Sequence, residues 1–287
     1  MPVTLVVAVT AIVAAFAVWA MSRSRRAPDP VDPYVEERWL VRWLGRHPRL
    51  AAPARAIDRQ VAGGLMLVAA LAVVVLTALA VGAIFDMVDR NSGIAAWDRS
   101  VAEWGSRNAS SWSTTVLDWI TDLGATWLLV MVAVAVGLFD VVRNRNVDVA
   151  LFLVVVVAGV ALINNVLKWL IDRERPDVAH LVGTSGSSFP SGHSAAAAAT
   201  WFALALVVGR RWSRRRRSLA AAVAALISVA VAASRALLGV HWLTDVVAGL
   251  LVGWGWFLLS ALAFGGRFQR LGDPADRVVT HAAALER

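Results

Sequence analysis

Seven stretches of this chain are apolar for about the length a helix needs to cross a bilayer: residues 2–21, 61–85, 124–142, 149–171, 194–209, 218–233 and 244–264. A span takes about 20 apolar residues, because a helix rises about 1.5 Å per residue across roughly 30 Å of hydrocarbon. Inside hydrocarbon the backbone must satisfy its own hydrogen bonds, so runs of this kind form helices. The chain as a whole agrees, with 59% hydrophobic residues and a mean hydropathy of +0.64. A soluble domain is closer to half apolar. The expected fold class is all-α, a polytopic membrane helical bundle. Its domains are an N-terminal transmembrane span (1–22), a basic linker (23–60), a six-span core (61–264) and a tail (265–287).

Charge orients the bundle. The net charge is +8, and the excess arginine sits in short loops between apolar runs. That pattern reads as membrane orientation and contact with anionic headgroups, not as a nucleic-acid surface. The basic stretches are 22–60, 143–148, 210–217 and the tail. Seven spans put all four on one side, expected to be cytoplasmic together with the C-terminus. Loops 86–123, 172–193 and 234–243 then fall together on the outer side. The first apolar run lacks the basic start of a secretory signal, so it is read as a retained span. Residues 86–123 carry Trp97, Trp104, Trp112 and Trp119, and tryptophan favours the membrane interface, so a short interfacial helix or lid is expected there. There is no cysteine, which excludes disulfides, thiolate zinc sites and cysteine nucleophiles.

The outer loops hold the chemistry-bearing residues. Lys168 is the single lysine among 28 basic residues. Arg175 follows seven residues later, close to two helical turns, so the two could share a face before Pro176 stops the helix. Pro190-Ser191-Gly192-His193 opens the fifth run. Ser234-Arg235 closes the sixth, and His241 and Asp245 are four apart, a spacing that places both on one helical face. Each feature alone has an ordinary explanation: a snorkelling lysine, a loop Arg-Pro, a helix start, a structural His–Asp pair. Together they gather several cations, two histidines and a carboxylate on one side of an apolar protein. Cations with backbone amides at a glycine make a phosphate cradle, and a helix N-terminus adds its field. Two histidines can divide nucleophilic and general-acid work, with the aspartate orienting one of them. The set reads as phosphoryl transfer through a histidine, without saying which one attacks. A metal held by His241, Asp245 and His193 is the competitor, but Lys168, Arg175 and Arg235 around it would repel a cation.

The order Lys168-x6-Arg175-Pro176, Pro190-Ser191-Gly192-His193, Ser234-Arg235-x5-His241-x3-Asp245 resembles the type 2 phosphatidic acid phosphatase (PAP2) family over residues 61–264. The resemblance implies that Lys168, Arg175 and Arg235 bind phosphate oxygens, with hydrogen bonds from Ser191, the Gly192 amide and Ser234. It implies that His241 attacks phosphorus, Asp245 orients it and His193 protonates the leaving oxygen. Neither metal nor cofactor is implied. The family also includes vanadium haloperoxidases, and the seven spans argue against that activity here.

The expected function is hydrolysis of a membrane lipid phosphate or diphosphate at the outer face. Undecaprenyl diphosphate is one candidate substrate; phosphatidic acid and phosphatidylglycerophosphate are the alternatives. Transfer to an acceptor other than water would use the same residues. A transporter would be expected to place its ionisable groups near mid-bilayer, and here they lie at the outer boundary.

Overall fold

The computed structural model describes residues 59–264 except residue 146, with side chains from residue 67 onward. The expected span at 2–21, nearly all of the basic linker and the tail lie outside the described residues.

Eight α-helices form: α1 (Arg59–Asp89), α2 (Asp98–Arg107), α3 (Ser111–Asp122), α4 (Thr126–Asn144), α5 (Asp148–Ile171), α6 (Gly192–Gly209), α7 (Arg214–Leu237) and α8 (Leu243–Phe264), with a 3-10 turn at Gly93–Trp97 before α2. No strand occurs among the described residues. Six of the helices are long and apolar enough to span a membrane: α4 to α8, and α1 over Leu67–Asp89. All six expected core runs therefore become helices, with ends displaced by a few residues.

Helices α6 and α8 form the centre. Their apolar windows are 56% and 61% buried, against 11% for α1, which runs along the outside. The contact between α6 and α8 is made by small residues. Ala195, Ala198 and Ala199 are essentially unexposed. A Cβ added at Gly249 would lie 2.5 Å from the Ser191 carbonyl oxygen. Close backbone approach through small residues is how helices associate where lipid removes the hydrophobic drive. α5 packs beside them: the indole of Trp256 in α8 donates to the Val155 and Val156 carbonyls at 3.2 and 3.1 Å. Leu76, Leu79, Phe139, Leu226 and other large apolar residues face outward and supply the lipid-facing surface.

The two ends of the bundle differ. At one end Asp140 of α4 is buried and paired with Arg210, beside Arg143, Arg145 and Arg211. The other end is covered by α2 and α3. Ser110 and Ser113 form a capping box that starts α3. α2 lies directly on the end of α7, where a Cβ at Gly105 would come 2.4 Å from the Leu237 carbonyl oxygen. Trp97 at the end of the 3-10 turn, Trp104 on α2, and Trp112 and Trp119 on α3 are all exposed. Where one short helix or lid was expected there are two helices, at the bundle end where α5 and α7 finish and α6 and α8 begin.

Candidate functional site

A cavity of about 330 Å³ opens at this covered end. Its walls include Lys168 near the end of α5, Arg175 in the following loop, Gly192 and His193 at the start of α6, Arg235 near the end of α7, and His241 just before α8. Residues spread over 74 positions of sequence meet because four helix ends converge. The cavity continues between α4, α5 and α6 along Leu129, Val157, Val160 and Ala196, so a cationic mouth leads to an apolar interior.

Lys168 and Arg175 reach the cavity by a route the spacing did not foresee. Helix α5 ends at Ile171, and Asp172 takes a left-handed conformation with φ of 44°. Arg175 is therefore not on a helical face with Lys168, and the helix stops before Pro176 is reached. Arg175 reaches its place from the loop. Its guanidinium donates to the carbonyls of Gly186 at 2.9 Å, Ser185 at 2.7 Å and Val240 at 2.6 Å. One cation thereby ties the 183–188 loop to the turn before α8. Lys168 Nζ donates to the carbonyl of Ser187 in the same loop. Burial holds the Arg175 guanidinium below its ordinary range, with Asp245 pulling the other way.

His241 and Asp245 are also not on one helical face, because α8 begins at Leu243. They meet across the helix start. His241 Nδ1 stands 3.6 Å from Asp245 Oδ2. The same oxygen accepts the backbone N–H of Trp242 at 2.9 Å, so Asp245 caps the first turn of its own helix. His241 Nε2 points the other way, 3.5 Å from Arg175 Nη1. Burial pushes the His241 imidazole down to about 4, with Asp245 opposing and Arg235 and Arg175 adding to the fall. The ring is therefore neutral near pH 7, with Nε2 on the cation side.

Arg235 is 6% exposed, and its Nη1 approaches the Thr121 hydroxyl at 3.4 Å, which links it to the end of α3. Gly192 and His193 begin α6, whose N-terminus adds positive potential at the cavity wall. A Cβ at Gly192 would be 3.1 Å from Asn164 Nδ2. Ser191 and Ser234 are placed differently from the other expected residues. Both are fully buried behind the wall. The Ser191 hydroxyl accepts from Ser194 at 3.0 Å and its N–H is held by the Asp245 carbonyl at 3.0 Å. Ser234 donates to the Val231 carbonyl at 2.8 Å.

Sequence reasoning missed the partners behind Asp245. Arg173 donates to Asp245 Oδ1 at 2.5 Å, to the Thr244 hydroxyl at 2.8 Å and to Asp98 Oδ2 at 2.9 Å. Ser188 donates its hydroxyl to the other Asp245 oxygen. In sequence Arg173 is one of a run of charges, and its only distinguishing mark is its position two residues before Arg175.

Comparison with known proteins places the chain. The sequence pattern of the PAP2 superfamily matches residues 149–269, which contain all the expected site residues. A phosphatidylglycerophosphatase B of Bacillus subtilis is 38% identical over 144 residues, spanning 50% of this chain and 70% of that protein. The chain belongs to the PAP2 superfamily. Two further matches are similar to this chain. The crystal structure of a transmembrane PAP2-type phosphatidylglycerolphosphate phosphatase from Bacillus subtilis superposes with a TM-score of 0.59 at 30% identity, covering 67% of this chain and 93% of that one. A lipid A 1-phosphatase of Rhizobium etli is 38% identical over 125 residues, 40% of this chain and 49% of its own length.

Proposed function

We propose that this PAP2 chain is a hydrolase that removes phosphate from a membrane lipid through a phosphohistidine on His241. The observation that carries the reading is the meeting of Lys168, Arg175 and Arg235 with two histidines in one cavity at the N-terminus of α6. The three cations and the Gly192 amide bind the phosphoryl oxygens and offset charge as it develops on them. His241 Nε2 attacks phosphorus while its Nδ1–H faces Asp245, which fixes tautomer and orientation. The bond from phosphorus to the lipid oxygen breaks, and His193 gives that oxygen its proton. Water then attacks phosphorus, passing a proton back to His193. The phosphorus–nitrogen bond breaks, and orthophosphate leaves with His241 restored.

The reading gives no metal a part, since the cations already supply the field. Among the described residues no three His, Asp or Glu side chains gather as a metal-binding group. The arginine asymmetry supports an active site at the outer membrane face, with the arginine-rich end at the cytoplasm. Among lipids, phosphatidylglycerophosphate leads, because the Bacillus subtilis matches found by sequence and by structure carry its name. Undecaprenyl diphosphate and phosphatidic acid are the alternatives.

The test is phosphate release by purified protein in detergent with chelator present, from these three lipids and lipid A. Release from any of them supports the metal-independent hydrolase, and the preferred lipid names the substrate. Release that requires an added divalent ion would remove the metal-free mechanism. No release, with phosphate moved onto an added lipid or alcohol, would make the chain a transferase.

A further inference from the structure

We infer that Arg173 is a positioning residue for the His241–Asp245 pair, and that Asp98, on the tryptophan-bearing layer, is its anchor. The inference rests on His241 being the nucleophile, and goes on to say what holds its carboxylate.

Three observations carry it. First, Arg173 joins two buried carboxylates. Its Nη1 binds Asp245 Oδ1 and Thr244 Oγ1, and its Nη2 binds Asp98 Oδ2. The side chains of Asp245 and Asp98 are 0% and 7% exposed, and that of Arg173 is 17% exposed. Buried carboxylates this close need a shared cation. Second, Asp98 caps α8 from outside that helix. It accepts the Thr244 N–H at 2.8 Å and the Thr244 hydroxyl at 2.6 Å, so an otherwise unpaired N–H of the first turn is satisfied by a residue 146 positions away. Third, Arg173 does not line the cavity, whereas Lys168, Arg175 and Arg235 do. Its guanidinium instead lies over the Trp242 ring, 5.3 Å from the centroid. Arg173 thus acts on the reaction through Asp245. It occupies Oδ1, so that Oδ2 is the oxygen turned to His241 Nδ1.

The geometry needs arginine. Three acceptors in two directions match a planar fork, and a lysine ammonium at that place cannot serve all three.

The experiment measures kcat and KM on the lipid that the wild-type protein hydrolyses best, for Arg173→Gln, Arg173→Lys, Asp98→Asn and the double variant Arg173→Gln/Asp98→Asn. Thermal stability of each is read alongside. Arg173→Gln is expected to lower kcat about 10- to 100-fold with KM within about threefold, the signature of lost transition-state geometry with binding intact. Arg173→Lys is expected to fall between, and the double variant to lose less than the product of the single losses, because the two residues act in series. Unchanged kcat in Arg173→Gln, or a raised KM at unchanged kcat, overturns the inference and leaves the proposed function standing. If Arg173→Gln does not fold, Asp98→Asn decides: it keeps an acceptor for the Thr244 N–H, and a wild-type kcat there overturns the inference. Absence of activity in the wild-type protein overturns the proposed function and this inference together.

Discussion

Gly253 of α8 faces the backbone of Ala195 on α6 so closely that a Cβ there would lie 2.3 Å from the Ala195 carbonyl oxygen. The neighbour is backbone and cannot rotate away. α6 brings Gly192 and His193 to the cavity, and the turn before α8 brings His241, so this contact joins the two helices whose starts carry the histidines. Gly253→Val is expected to separate the helices, lowering stability by about 1–3 kcal/mol or more and reducing turnover. Gly183→Ala, in a loop where an added Cβ meets nothing within 4 Å, is the stability control. Thermal unfolding in detergent compares the two, and equal melting temperatures would refute the tight-contact account.

His241→Ala is expected to abolish phosphate release, by about 10³-fold or more, while the protein stays folded. His193→Ala is expected to slow both halves of the reaction and still form phosphoenzyme from a substrate with a good leaving group. Acid-labile label trapped on the protein checks this. Label retained in His241→Ala would move the nucleophile elsewhere.

Lys168→Met removes one of the three cations and leaves the hydrocarbon stem. On the proposed reading Lys168 binds the charged phosphoryl group in a partly buried site, so a fall in kcat/KM of about 100-fold is expected. A change of only a few fold would return Lys168 to the role of a side chain reaching for headgroups.

The His241 imidazole also predicts a stability profile. In the folded protein it stays neutral down to about pH 4, whereas in the unfolded chain it takes up a proton near 6.5. Between those values the unfolded state binds more protons, so this group lowers stability as pH falls through that window. Melting temperatures at pH 7 and pH 4.5 are expected to differ less for His241→Gln than for the wild-type protein. An identical pH dependence would show that another group sets it.

Orientation can be read by labelling, because the chain has no cysteine of its own. Arg107→Cys at the cavity end and Arg215→Cys at the arginine-rich end are both at exposed positions. A membrane-impermeant maleimide is expected to label the first in intact cells and the second only after permeabilisation. The reverse would turn the bundle over.

The spans were legible because hydrocarbon leaves the backbone few choices, and an apolar run of bilayer length is a strong signal. Lys168, Arg175, His193, Arg235 and His241 were legible as residue types, since chemistry selects them wherever the chain places them. Their local geometry was not. Helical spacing was extended past Ile171, where Asp172 turns left-handed, and back before Leu243, where α8 has not begun. Ser191, which the resemblance puts at the phosphate, is buried and accepts a hydrogen bond from Ser194, a packing that its motif does not show. Arg173 and Asp98 were invisible for a plainer reason. Their meeting is a contact 75 residues apart, and neither residue type nor spacing announces it.

The layer of α2 and α3 has one more consequence. On the proposed reading its four exposed tryptophans set the depth at which this end of the bundle rests, since tryptophan favours the boundary between headgroups and acyl chains. On the proposed reading the cation ring then waits at the level where lipid phosphates already lie. A substrate can arrive by sideways diffusion with its tails still in hydrocarbon. Pulling a chain into water would cost about 0.8 kcal/mol per methylene, more than 10 kcal/mol for an ordinary acyl tail. On that reading the tryptophans spare the reaction that extraction without touching the phosphate at all.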